Sequence, residues 1–343
     1  MNLPFDKNIT VSKLVSIFRS TSATYKFYWF WAILEAIESG KKTITKRELF
    51  ARMISLSWYT VNYFKVSFGK QDVIQSAVEQ IKDLENLSID SSQEHILSTL
   101  LNTRNKETLS LLNHFDKNVP HKFLSPWLGS GSKSEIYEKS DNEFGKVPYR
   151  LEKDCLELSD VWFAYFKTHI ALLKTFCYWN LTLFLQSRNP NVPDIPNKIN
   201  RPIQRGSLST HKTRFWDLVI NEIGAVNCIY TNKPLEIGGY AVEHFIPYQF
   251  VAHDLMWNLI PADSSFNSKK SDKLPKLDDY FDSFYETQKM GFDIVKALRP
   301  KNKFLEHYLP LFPNQVFEKN KFEDHIKPML SIAHNNGFQY LEL

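Results

Sequence analysis

Residues 228–273, CIYTNKPLEIGGYAVEHFIPYQFVAHDLMWNLIPADSSFNSKKSDK, decide how this chain is read. Within them stand, in order, Glu243 beside His244, Asn258 in a Trp-Asn-Leu setting, and Asn267 followed three positions later by Lys270. Val226 to Tyr230 is rich in β-branched and aromatic residues, TNKPLEIGG is turn material, and Tyr240 to Ile246 is a second short strand, so the two strands are expected to form a hairpin. Pro247 to Trp257 reads as a loop, and Asp263 is a candidate N-cap for a short helix carrying Asn267 and Lys270. The outline is β-β-loop-α. A neutral imidazole near pH 7 can deprotonate water, oxygen donors suit a hard cation, and an amide can brace a loop between them. These residue types at this spacing suit metal-assisted phosphodiester cleavage.

Glu243-His244, Asn258-Leu259 and Asn267 with Lys270 resemble the HNH, or ββα-metal, endonuclease superfamily, over about Asn227 to Lys273. The first half is more loosely similar to bacterial standalone HNH proteins with helical N-terminal regions. The resemblance implies a metal-dependent DNA endonuclease using one metal ion, Mg²⁺ or Mn²⁺. It implies His244 as general base, Asn258 as the brace of the loop, Glu243 and Asn267 as metal ligands, and Lys270 as a residue neutralising a flanking phosphate. Families of this type commonly carry Asp where Glu243 stands. Many add paired cysteines for a structural zinc; here Cys228 is followed by Thr231 where a second cysteine would be, so no structural zinc is expected. The motif should then be held by packing, with Tyr230, Phe245, Trp257 and Phe266 as the candidates. A role in restriction or defence against invading DNA follows only from the kind of protein resembled. The alternative is a catalytically silent DNA-binding or scaffold component of a multiprotein system, with Glu243 as the altered position.

Outward from the motif, the expected fold is mainly α with a small ββα-metal module. A helical N-terminal domain spans 1–118, a connecting loop, long helix and Pro-rich linker span 119–196, and the nuclease domain with C-terminal helices spans 197–343. A helix from about Ala23 is expected to end at Gly40, and Thr45 with Glu48 and Ser91 with Glu94 read as capping boxes for the helices that follow. GSGSKS and EKSDNEFGK mark Val119 to Arg150 as an exposed connection around a short hairpin. A long helix runs from Trp162 to Ser187, and Pro190, Pro193, Pro196 and Pro202 favour an extended path after it. Leu277 to Leu298, Lys303 to Leu309 and the tail read as helices.

Composition sets the outer limits. With 343 residues, 43% of them hydrophobic, the chain can fill sizeable cores, and a net charge of +4 permits a polyanionic partner without requiring one. Three scattered cysteines exclude a disulfide framework and fit a reducing cytoplasm. The start, MNLPFDKN, lacks the pattern of a secretory signal, and the apolar segments are too short or too interrupted for a membrane span. Arg201, Arg205, His211, Lys212 and Arg214 form a basic cluster before the motif, and Lys269 and Lys273 flank Lys270. Each reads either as a phosphate contact or as a solvated face. The aromatic run Tyr25 to Trp31 reads as helix core. DNA is the expected partner, joined by a protein partner through the helical region or by a second copy in a homodimer.

Overall fold

The computed structural model describes residues 3–200 and 206–342. Arg201 and Arg205 lie outside the described residues. The chain divides into two compact units, Met1–Pro190 with Lys198–Arg201, and Asn191–Asn197 with Pro202–Leu343.

The first unit is built around helix Tyr25–Glu38, which packs on helices Lys46–Asn62 and Ile170–Arg188. Its sequence, YKFYWFWAILEAIE, is apolar nearly all round, so it must be covered on several sides; Tyr28, Trp29, Phe30, Ile33 and Leu34 are buried. The helix ends at Ser39, and Gly40 follows with φ +81°, a conformation cheap only for glycine. Thr45 then caps the next helix, its side chain accepting from Glu48 N. Three short strands, β1 (Thr43–Thr45), β2 (Tyr149–Leu151) and β3 (Cys155–Leu158), form an antiparallel sheet in the order β1-β3-β2. Trp29 Nε1 donates to Tyr149 Oη at 2.9 Å, and Tyr149 Oη donates onward to Pro120 O at 2.8 Å. This relay ties the sheet to the central helix inside the core.

Several boundaries differ from the sequence reading. The cap of helix Gln93–Asn102 is Ser92, which accepts from His95 N, rather than Ser91. Residues expected as an exposed connection form helices Val119–Phe123, Ser125–Leu128 and Lys133–Asn142 before the β2–β3 hairpin, all within the first unit. The helix expected from Trp162 is two, Asp160–Thr168 and Ile170–Arg188, broken at His169 (φ −109°, ψ 21°) where neither Gly nor Pro marks the break. A 3₁₀ turn, Ile195–Lys198, interrupts the Pro-rich path.

In the second unit, helix Leu277–Leu298 packs against helices Asp217–Ile223 and Lys319–Asn335. The chain enters Asp217–Ile223 through a π-helical turn, Lys212–Trp216, which buries Phe215 and Trp216 and leaves Arg214 exposed. Trp216 packs where Gly291 has no side chain: a Cβ there would come within 2.9 Å of the indole. Strands β4 (Val226–Asn227) and β5 (Pro234–Leu235) pair, as do β6 (Ala241–His244) and β7 (Leu259–Ala262). Among the described residues no helix is long and apolar enough to cross a membrane.

Replacing Tyr149 by Phe keeps the ring but strands a buried indole N–H and a buried carbonyl. The expected cost is about 1–3 kcal/mol, read as a lower melting temperature of the first unit; an unchanged melt would show that the Trp29–Tyr149–Pro120 relay contributes nothing.

Candidate active site

The two-stranded core of the motif is β6 with β7, not the hairpin expected from Val226–Tyr230 and Tyr240–Ile246. β4 turns back instead onto β5 through Asn232, which takes φ +56°, with Cys228 N donating to Lys233 O at 2.9 Å. β6 pairs antiparallel with β7 in the register Glu243↔Ile260 and His244↔Leu259. β7, LIPA, is buried throughout, so it lacks the alternation that would have marked it as a strand. Asp263 follows directly and caps helix Ser264–Lys270, accepting from Ser265 N at 2.9 Å and Phe266 N at 3.4 Å. Lys233 lies 2.7 Å from the same carboxylate and, with Ser265, holds its pKa well below the usual range.

Neighbouring residues on a strand face opposite ways, and that alternation separates Glu243 from His244. Glu243 is buried; one carboxylate oxygen accepts from the Tyr230 hydroxyl and the other from Lys270 Nζ at 3.0 Å. Lys270, with no exposed surface, also donates to His244 O at 2.8 Å. Glu243 is thus seated as the counterion of Lys270, and Lys270 as a tie between the helix and β6. The Lys270 ammonium is closed off from solvent and occupied by these two partners. Tyr230 stacks on Phe266 at 4.6 Å and Phe245 on Phe284 at 3.8 Å, and Trp257 is buried beside His253 and His325.

His244 Nε2 lies 2.8 Å from Asp254 Oδ1. A carboxylate only accepts, so Nε2 carries the proton and the basic lone pair of the neutral ring belongs to Nδ1. Asp254 reaches His244 from the loop between β6 and β7, past Ala252, a non-glycine residue at φ +58°. That loop is closed by Asn258, which is fully buried. Its Oδ1 accepts from Ile246 N and its Nδ2 donates to Ile246 O, both at 2.8 Å. Gln288 adds a second brace, donating to Met256 O at 3.1 Å and Leu259 O at 2.8 Å while accepting from Tyr308 Oη at 2.7 Å.

Glu243, His244 and Asn267 line one cavity of about 470 Å³, together with Gln249 and Ser268. Of the other residues singled out in the sequence, Lys212 is turned inward, donating to Tyr240 O at 2.6 Å with its ammonium 4.1 Å from the Tyr240 ring centroid. Arg214, Lys269 and Lys273 are exposed. Asp254 and Gln288 escaped the sequence reading. Asp254 sits in a loop with no motif around it, and Gln288 lies on a helix remote in sequence.

Residues 228–276 match the family model described as HNH endonuclease, a span that includes β6, the loop, β7 and the short helix. Over that span the chain carries an HNH endonuclease module. Nucleases of that family generally depend on a divalent metal ion. Comparison with curated proteins and with solved structures gave no match.

Two outcomes test this geometry. Glu243→Gln leaves a buried ammonium without its counterion and is expected to cost about 3–5 kcal/mol, whereas Glu243→Gln with Lys270→Met should be clearly less costly. Denaturant midpoints of the single and double variants decide this, and equal losses would mean that the pair is not coupled.

The second concerns acid. Burial, and next the nearby His244, lowers His253 from 6.5 to about 4, and burial also lowers His211, His307 and His325. Between those two values the unfolded chain binds more protons than the folded one. Stability should therefore fall as pH drops from about 6.5 toward 4. Urea midpoints at pH 7 and pH 5 are expected to show the loss, reduced in His253→Gln; an identical pH response in that variant would contradict it.

Proposed function

We propose that this protein is a metal-dependent DNA endonuclease whose cleavage site is the cavity shared by His244 and Asn267. The observation that carries the reading is that an oriented histidine base and an oxygen donor on the following helix open on the same space. Asp254 fixes the tautomer of His244, so Nδ1 accepts a proton from water as that water attacks phosphorus. The imidazolium so formed is stabilised by the Asp254 carboxylate, the same division of labour as in a His–Asp pair of a hydrolase. Asn258 and Gln288 hold the loop that carries Asp254, so both act through position.

The donor set suits a divalent ion only sparsely. Glu243 is held by Lys270 and Tyr230, and among the described residues no group of three His, Cys, Asp or Glu side chains forms a cage. Asn267 is the residue that would hold the ion, with water and phosphate oxygens supplying the remaining donors, as is common for Mg²⁺. When bound, the ion would supply positive charge at the non-bridging and leaving oxygens. With one neutral protein ligand, metal affinity should be weak without nucleic acid. Products would carry 5′-phosphate and 3′-hydroxyl ends. A role in restriction or defence would place the helical first unit as the part that meets a partner or selects substrate.

The test is supercoiled plasmid, linear DNA and RNA incubated with purified protein across Mg²⁺ and Mn²⁺. His244→Ala is expected to lower cleavage of DNA by at least 10²-fold while binding persists, and Asp254→Asn to lower kcat with little change in KM. Cleavage at the unmodified rate by His244→Ala would remove the base assignment. No cleavage by the unmodified protein with any divalent ion, beside firm DNA binding, would favour the silent binding module, a reading that draws on the committed state of Glu243.

A further inference from the structure

Arg214, Arg299, Lys301 and Lys303 line a groove of about 830 Å³ in the second unit, together with Phe304 and His307. All four cations are exposed, no carboxylate lines the groove, and among the described residues none of the four enters an ion pair. Elsewhere in this unit surface lysines, half-buried or exposed, do find acids: Lys289 pairs with Asp293, Lys319 with Asp282 and Lys321 with Glu318. Four uncompensated positive charges along one concavity repel one another unless an anion lies between them.

The groove is also tied to the loop of the candidate active site. Asn302 Nδ2 donates to Arg214 O at 2.8 Å, which fixes its two walls to each other. His307 Nδ1 accepts from Met256 N at 3.2 Å, two residues past Asp254. Between them the His211 ring lies 4.7 Å from Phe304 and 6.2 Å from His307, and feels the charge of Asp254.

We infer that this groove binds the phosphodiester backbone of duplex DNA on one side of the bond to be cut. The inference rests on the nuclease reading and extends it with a substrate track. Charge sets affinity here, and phosphate contacts position the strand without reading bases.

The experiment measures binding of a duplex oligonucleotide across a salt series, in the His244→Ala background so that the DNA stays whole. Arg299→Gln with Lys301→Gln should make the slope of log affinity against log salt shallower by about 2, because each lost phosphate contact removes roughly 0.9. Arg299→Glu with Lys301→Glu should weaken binding at least ten-fold, while Lys327→Glu, an exposed lysine outside the groove, should leave it unchanged. Circular dichroism spectra that overlay the parent's confirm that each variant is folded. Unchanged affinity and slope in both groove variants, with plasmid cleavage by the His244-containing protein intact, would overturn the groove and spare the nuclease. Losses confined to single-stranded DNA or RNA would overturn the duplex assignment. Failure of the unmodified protein either to bind or to cut would instead bring down the nuclease reading itself.

Discussion

The clasp between the Asn258 side chain and the backbone of Ile246 is the contact on which the candidate site depends. It joins the end of β6 to the start of β7 and closes the intervening loop at its neck. Without it the loop would have no fixed exit, and Asp254 would have no reason to stand against His244. Because the amide is fully buried, each lost hydrogen bond would strand a backbone group away from water, which costs more than the bond itself contributes. Gln288 and His307 hold the same loop from behind, and Lys270 holds β6 from the other face. The loop is therefore braced by two elements distant in sequence, helix Leu277–Leu298 and the 3₁₀ turn Lys303–Tyr308, which hold Asp254 in place against His244.

Much of this was legible in the chain. Asp263 as a helix cap and the burial of the aromatic run Tyr28 to Phe30 follow from residue types and local periodicity, whereas only the resemblance implied Asn258 as the brace of the loop. The partner of β6 did not follow. β7 is four buried apolar residues with a proline among them, a pattern shared by buried loops and strands alike. The break at His169 was equally silent, because no residue there forbids helix and tertiary packing decides it.

The side chains around Glu243 show a different limit. A sequence shows that a carboxylate, a lysine and a tyrosine are near the motif, but not which of them will meet inside. Strand alternation sends Glu243 away from His244, and a buried carboxylate needs a counterion; Lys270 is the cation that arrives there. Asp254 illustrates the converse, since nothing in its own neighbourhood distinguishes it until the loop folds back on β6. Cationic residues divide by the same logic. Lys212 and Lys270 spend their charge internally, whereas Arg214, Arg299, Lys301 and Lys303 keep theirs at the surface.

Convergence of position 244 and Asn267 on one ion-binding space is most directly tested by an anomalous-difference map. The crystal would hold the His244→Ala variant, a duplex oligonucleotide and Mn²⁺. The expected result is a single manganese peak within coordination distance of the Asn267 side-chain oxygen, in the cavity facing residue 244, with a phosphate oxygen among its ligands. A peak bound elsewhere, or DNA seated away from that cavity, would contradict the account.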